Sequence, residues 1–320
     1  MQSFSQNFQT NFRKCGIVGV GNVGSTVAYT LMQTGWFSEM VLLDINTKKA
    51  HGEASDLSHS LPFHAPMDIY AGTYTDLADC GIIVLTAGAN RLPDQSRLAP
   101  AKTNAQIFRS IVNNISIYNQ NAILLVVTNP VDILTYVAYQ ASDYPPSRVI
   151  GSGTVLDTAR LKQLLGKELE VDSRQIHAFI IGEHGDSELP VWSSANVSGI
   201  DLPHFCQLHG HGDDADTLHQ LFLRAKNSAR EILEAKGATY YAIAESVKRI
   251  ISAIIRDENS ILPVSTLATG HYGLDDVCLS LPCILNRHGV AHILEIPLSN
   301  EEHARLQLSA QTLKKVIRDL

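Results

Sequence analysis

The sequence has no apolar run approaching the roughly 20 residues of a membrane span. Its first residues, MQSFSQNFQTNFRK, lack an apolar core followed by small residues and so do not read as a signal peptide. Residues 1–13 are expected to form a flexible polar leader. Nothing repeats at a fixed period, which disfavours a solenoid. Cysteine is scarce, at 15, 80, 206, 278 and 283, with no Cys-x-x-Cys spacing. That pattern speaks for reduced structural thiols in a cytoplasmic protein. Positive charge is not in excess either: 25 Lys and Arg face 32 Asp and Glu, a net charge of −7. This balance argues against indiscriminate nucleic-acid binding. His204, His209 and His211 fall in a polar stretch without a convincing set of further ligands, so no metal is expected.

What remains is a chain of 320 residues, 45% of them apolar, enough for one large α/β unit or two domains with real cores. KCGIVGV, 14–20, reads as a buried strand that runs into Gly19-x-Gly21-x-x-Gly24. A helical run follows, with Gly35 placed to stop it. MVLLDI is the next strand, closed by Asp44 twenty residues beyond Gly24. Three glycines alone are a weak signal, but this strand–glycine–helix–strand–acid order is that of a dinucleotide-binding unit. Without side chains at 19 and 21, phosphate oxygens can approach backbone N–H groups at a helix N-terminus. Gly24 permits close helix–strand packing, and Asp44 would accept hydrogen bonds from ribose hydroxyls while repelling the extra phosphate of NADP. The cofactor read from this is NAD. The bland alternative for Asp44 is a surface acid closing a strand.

Alternation continues with a polar helix around 47–58, strands near 67–71 and 81–86, a helix near 103–118, and the β-branched strand AILLVVT. Between the strand at 81–86 and the next helix lies the loop ANRLPDQSR, which carries Arg91 and Arg97. Pro130 suits the first turn of the helix VDILTYVAYQ. The pattern changes near 150, where an amphipathic helix, TVLDTARLKQLLGKEL, leaves the first domain. HAFIIG and PVWSSANV read as short strands, 209–216 as a solvated loop, and 218–255 as a long helix in which Gly237 marks a bend or a close-packing point. ILPVSTLATG and CLSLPCIL read as an antiparallel layer before a terminal helix. The pattern reads as α/β: a Rossmann-type parallel-sheet NAD-binding domain at 14–153, then a second, mixed α+β domain at 154–320.

His184 follows a buried strand in HAFIIGEHGDSELPVW. A neutral imidazole accepts a proton and an imidazolium donates one to a carbonyl becoming an alcohol, so one histidine serves both directions of a 2-hydroxy acid oxidation. Such a histidine needs an orienting acid, and Asp157 in GSGTVLDTAR is a candidate. Arg160 lies three residues on, on the same helical side. Taken singly, His184 can equally be a turn histidine and Asp157–Arg160 a local ion pair.

Taken together, GxVGS at 19–25, LLDIN at 42–46, DLSHSLPF at 56–63, TAGAN at 86–90, VVTNPVDILTYV at 126–137, GSGTVLDTAR at 151–160, IGEHGDSELPVWS at 181–193 and KGATYYAIA at 236–244 resemble the lactate/malate dehydrogenase family. The resemblance runs from Cys15 to the terminal helix. It implies hydride transfer between a nicotinamide and C2 of a short 2-oxo or 2-hydroxy acid, with pyruvate/lactate as the leading substrate pair. By motif it makes His184 the acid/base, Asp157 its orienting partner and Arg160 the clamp on the substrate carboxylate, where a planar guanidinium suits the anion. Arg97 resembles the loop arginine that closes over the substrate and polarises its carbonyl. Asn129 resembles the residue touching nicotinamide and reacting oxygen, and Thr239 a pocket-wall threonine. The matched motifs place Gly19, Gly21, Val23, Gly24, Asp44, Thr86, Gly88 and Asn129 along the cofactor.

The resemblance further implies a homo-oligomer, a tetramer with a dimer as the smaller alternative. The helix near 47–58 and the long helix 239–255 carry apolar faces that fit either a subunit interface or the core. His177 matches a phosphate-contacting histidine of relatives with a fructose 1,6-bisphosphate effector site, but Lys162 stands where they usually carry arginine. Arg91 is a departure too: its position is usually glutamine in bacterial lactate dehydrogenases and arginine in malate dehydrogenases. This keeps a malate/oxaloacetate or dual-specificity enzyme as an alternative. A noncatalytic dinucleotide-binding protein on the same fold is the alternative from another class.

Overall fold

The computed structural model describes residues 10–89, 98–210 and 215–320. The apolar run KCGIVGV does not define the first strand's start: β1 spans Asn11–Val18, beginning three residues ahead of Lys14. It is followed by α1 (Asn22–Met32), β2 (Glu39–Leu43), α2 (Thr47–Ser60), β3 (Asp68–Ala71), β4 (Cys80–Leu85), α3 (Leu98–Tyr118), β5 (Ile123–Val126), α4 (Val131–Gln140) and β6 (Val149–Gly151). These six strands lie in the order β6-β5-β4-β1-β2-β3, all parallel. The order reverses between β1 and β4, the crevice where this type of sheet binds dinucleotides.

Alternation along the strands supplies a core on each side of the sheet. Ile17, Leu42, Val84 and Leu125 join Val27 and Leu31 of α1 in one cluster. Val18, Leu43, Leu85 and Val126 join Phe108 and Val112 of α3 and Leu134 of α4 in the other. Both faces are covered, which is why the strands read as continuous apolar runs. Pro130 stands one residue before α4, not in its first turn, joined to Asn129 by a cis peptide.

The second half begins with α5 (Val155–Glu168) and five two-residue strands: β7 (Ile176–His177), β8 (Ile180–Ile181), β9 (Leu189–Pro190), β10 (Asn196–Val197) and β11 (Ile200–Asp201). HAFIIG and PVWSSANV are thus each divided: β8 pairs with β9, while β7 pairs with β10. Then come α6 (Leu202–Leu208), α7 (Ala215–Lys236), α8 (Tyr241–Ile255), β12 (Ser260–Thr269), β13 (Asp275–Asn286), β14 (Gly289–Ile293) and α9 (Asn300–Arg318). The long helix expected at 218–255 is two helices. Gly237, at φ 80°, takes a left-handed conformation that a helix cannot continue through, and Thr239 falls in the resulting turn. β12, β13 and β14 extend the main sheet in antiparallel fashion, joined to it where Ser265 pairs with Gly151. Val247, Ile250, Ile251 and Ile254 of α8 pack into the core of the same chain, as do Ala50, Ala54 and Leu57 of α2.

Candidate active site

The glycine turn is built as dinucleotide binding requires. A Cβ on Gly24 would lie 1.8 Å from the Gly19 carbonyl oxygen, so only glycine lets α1 pack this close to the turn. A Cβ on Gly21 would meet nothing within 4 Å, leaving its backbone open to a phosphate at the α1 N-terminus. Asp44 closes β2 and accepts hydrogen bonds from Val20 N–H and Asn46 N–H, both at 2.9 Å. This fixes the carboxylate beside the glycine turn, and the residues present fit NAD. A cavity of about 710 Å³ continues from there, its lining joining Val23, Thr86 and Gly88 to Asn129 and His184. Asn104 of α3, 2% exposed, accepts from Ala89 N–H at 2.8 Å and donates to the Asn129 carbonyl at 3.1 Å. It ties the strand-end segment at 86–89 to the turn bearing Asn129.

His184 and Asp157, 27 residues apart, meet directly: Nδ1 lies 2.5 Å from Asp157 Oδ2. The contact follows from how α5 is fastened to β8. Thr154 donates to the Ile180 carbonyl at 2.5 Å, and Ile180 N–H donates to Thr158 at 2.9 Å. Asp157 in the first turn of α5 therefore faces the segment after β8. Its other oxygen, Oδ1, accepts from Arg160 Nη1 at 2.9 Å. Burial raises the Asp157 carboxyl, but His184 and Arg160 outweigh it and hold the group below the usual range. Burial lowers the imidazole in turn, and Asp157 more than offsets this, holding His184 up to about 9. Glu188 is 3% exposed, and burial with the nearby Asp157 charge pushes its carboxyl well above the ordinary range. Asp157, His184 and Glu188 bring their ligating atoms within 4.8 Å of one another, a spacing that metal sites share. Here Arg160 already supplies the cation that neutralises Asp157.

The His184 segment is held along its backbone as well. Gly182 and Ser280 exchange two backbone hydrogen bonds of 2.9 Å, Glu183 N–H donates to Ser309 Oγ at 2.8 Å, and His184 N–H donates to Asp132 Oδ2 at 2.7 Å. Sequence reasoning missed Asp132, Glu188, Ser309 and Asn104. The one signal for Asp132 was an acid inside the apolar helix VDILTYV. Thr239 is half-buried in the α7–α8 turn, outside the lining of the cavity. His177 is exposed on β7, and Lys162 on α5 is half-buried, which lowers its pKa. Arg91 and Arg97 lie outside the described residues.

A dinucleotide crevice opening onto an imidazole that is paired with a carboxylate and backed by an arginine defines a class: an NAD-dependent oxidoreductase. Residues 13–151 match the NAD binding domain of lactate/malate dehydrogenases, and residues 154–320 match the alpha/beta C-terminal domain. The chain belongs to the lactate/malate dehydrogenase family. It is 51% identical over 308 residues to the L-lactate dehydrogenase of Acetivibrio thermocellus, covering 96% of this chain and 97% of that one. It is 48% identical to L-lactate dehydrogenase 1 of Clostridium acetobutylicum, over 94% of this chain and 96% of the relative. Among solved structures it is similar to the minor L-lactate dehydrogenase of Enterococcus mundtii in a ligands-bound form. The TM-score is 0.93 at 40% identity, over 96% of this chain and 98% of that chain.

Proposed function

We propose that this chain interconverts pyruvate and L-lactate with NAD. The observation that carries the reading is His184 lining the cavity while Asp157 and Arg160 stand behind it. NADH, when bound, supplies the hydride. With Nδ1 engaged by Asp157, His184 has Nε2 left to exchange a proton with the substrate oxygen at C2. Arg160 holds the substrate carboxylate, and Asn129 steadies the reacting oxygen. Arg97 polarises the carbonyl, whereas Thr239, outside the cavity lining, is given no part in the pocket wall. Excluding water around these charges strengthens each of them.

The test is NADH oxidation by the purified protein with pyruvate and with oxaloacetate, beside the variant His184→Asn. Loss of most turnover with NADH binding retained supports the reading. Near-wild-type turnover in the variant overturns it, and binding without turnover in the parent chain points to a noncatalytic dinucleotide-binding protein. Arg91 favours a second reading, in which oxaloacetate is also a substrate.

The same proposal extends to finer points. The division into an NAD-binding domain at 14–153 and a catalytic domain at 154–320 is supported by the matched ranges, while the leader expected at 1–13 is shortened by β1, which already includes Asn11–Arg13. A cytoplasmic homotetramer is the expected form, and the buried free thiols Cys15, Cys80, Cys278 and Cys283 agree with a reducing compartment. Fructose 1,6-bisphosphate is a weak activator acting at His177 and Lys162, because lysine attracts phosphate without the planar fork of arginine. Titration at subsaturating pyruvate decides it: no change in rate or oligomer distribution removes the effector from the proposal.

A further inference from the structure

The short segment from Asn129 to Asp132 has two ends with different contacts. Asn129 lines the cavity, and Asp132 in the first turn of α4 reaches the main chain of His184. Asp132 is 2% exposed, so its carboxylate has been taken out of water. A buried carboxylate is costly unless donors meet it, and the N-terminal turn of a helix is the place where its charge is best tolerated. The donor it meets is the N–H of the residue that bears the reacting imidazole, at 2.7 Å. His184 is thus gripped twice: Asp157 takes the ring and Asp132 takes the backbone. A ring fixed only at Nδ1 could still swing with its own Cα. Fixing the amide as well removes that freedom and sets Nε2 relative to Asn129, which shares its segment with Asp132.

We propose that Asp132 is a positioning residue for the hydride-transfer reaction, seating the His184 main chain so that the imidazole and Asn129 present one fixed geometry to the substrate. The inference rests on the reading of His184 as the acid/base. It gives Asp132 two separable effects. One is the main-chain hydrogen bond, which any acceptor of the same shape can make. The other is a negative charge facing the imidazole. The other charged groups facing His184 are Asp157, with Arg160 on its far side, and Glu188, while Asp132 itself is faced by Glu183, Ser265 and Cys278. Removing the Asp132 charge therefore leaves Asp157 as the main anion on the ring.

Two substitutions separate the effects. Asp132→Leu keeps the branched outline of the side chain, at a larger volume, and leaves the His184 N–H without an acceptor. It is expected to lower kcat for pyruvate reduction about tenfold or more, with the Kd for NADH, read by fluorescence, within about threefold of the parent. Asp132→Asn restores an acceptor and should recover most of kcat. It should also move the alkaline limb of the pyruvate-reduction profile about half a unit toward lower pH, as expected when one anion facing the imidazole is removed. Counting active sites by NADH binding keeps misfolded protein out of kcat. Two results overturn the inference: Asp132→Leu with parental kcat per bound NADH, or Asp132→Asn with an unmoved limb. Should Asp132→Leu fail to fold, the Asp132→Asn profile decides. His184→Asn is run in parallel. Retained turnover there defeats the acid/base reading itself, whereas its loss beside a fully active Asp132→Leu defeats only the role of Asp132.

Discussion

Asp157 holds the His184 ring with one carboxylate oxygen and the Arg160 guanidinium with the other. The acid is buried and the two cations keep it ionised, so it acts as a fixed negative charge against the ring. With His184 as the proposed proton donor, pyruvate reduction would consume the imidazolium, and its rate should fall as pH rises through the His184 pKa. That pKa is about 9 in the folded chain, where Asp157 overcomes the effect of burial. Asp157→Asn removes the anion and keeps the shape. The alkaline limb should move down by one to two units or so, and kcat at mildly alkaline pH should fall about tenfold or more. Initial rates of NADH oxidation across the pH range measure this. A limb that stays in place would separate Asp157 from the acid/base function.

A second expectation concerns the cofactor. Asp44 already accepts two backbone N–H groups, so its charge is fixed next to the glycine turn. An added ribose phosphate would meet that charge directly. NADH should be preferred over NADPH by about a hundredfold or more in kcat/KM, and Asp44→Asn should narrow the ratio about tenfold. Asparagine keeps one acceptor oxygen, enough for Val20 N–H but not for Asn46 N–H as well, so the Kd for NADH is measured beside the ratio. Equal efficiencies with the two cofactors in the parent enzyme would defeat the assignment of Asp44.

The raised imidazole also bears on stability. His184 moves from an ordinary value of 6.5 in the unfolded chain to about 9 in the folded one. Between those values the folded protein holds a proton that the unfolded chain has released. The stabilisation is therefore complete below the lower value and is lost as pH rises through the upper one. Glu188, pushed up by burial, also holds its proton longer in the folded chain and adds a contribution of the same sign. The Tm of the protein without cofactor should fall by a few degrees between mildly acidic and alkaline pH. His184→Asn should flatten this slope. A Tm that rises over the same interval is incompatible with a raised His184.

The strands of the first half were legible because burial on both faces leaves continuous apolar runs, and the glycine turn because close packing at Gly24 admits no side chain. Asp157 and Arg160 were visible as a helical pair, and His184 as a histidine after a strand. Their meeting was not, because it depends on Thr154 and Thr158 fastening α5 to β8 across the chain. A threonine just before a helix and another in its first turns carry no mark of such a task. The break between α7 and α8 was signalled by Gly237 but read as a bend, since local composition does not show that its φ is positive. Asp132 was hidden for a related reason: its partner is a main-chain N–H, and backbone groups leave no trace in a sequence.

Substrate choice turns on Arg91. Arg97 already matches the loop arginine expected to act on the carbonyl, so Arg91 is a second guanidinium on the same loop. Facing the cavity, it would pair with the second carboxylate of oxaloacetate. Against the methyl group of pyruvate it would be desolvated without a partner, which is costly. Turned outward, it would pair with Asp94 or remain in solvent and leave pyruvate favoured. The overall likeness to L-lactate dehydrogenases puts pyruvate first, and Arg91 is the reason to test oxaloacetate as a second substrate. If it faces the substrate, Arg91→Gln should lower kcat/KM for oxaloacetate relative to pyruvate about tenfold at least, the loss of one ion pair worth about 1.4 kcal/mol. Arg97→Gln should instead depress both substrates together, because both present the same carbonyl. Measuring the four efficiencies under matched salt separates the two arginines. An oxaloacetate-to-pyruvate ratio unmoved by Arg91→Gln would place that side chain outside the discriminating pocket and leave a site that binds one carboxylate.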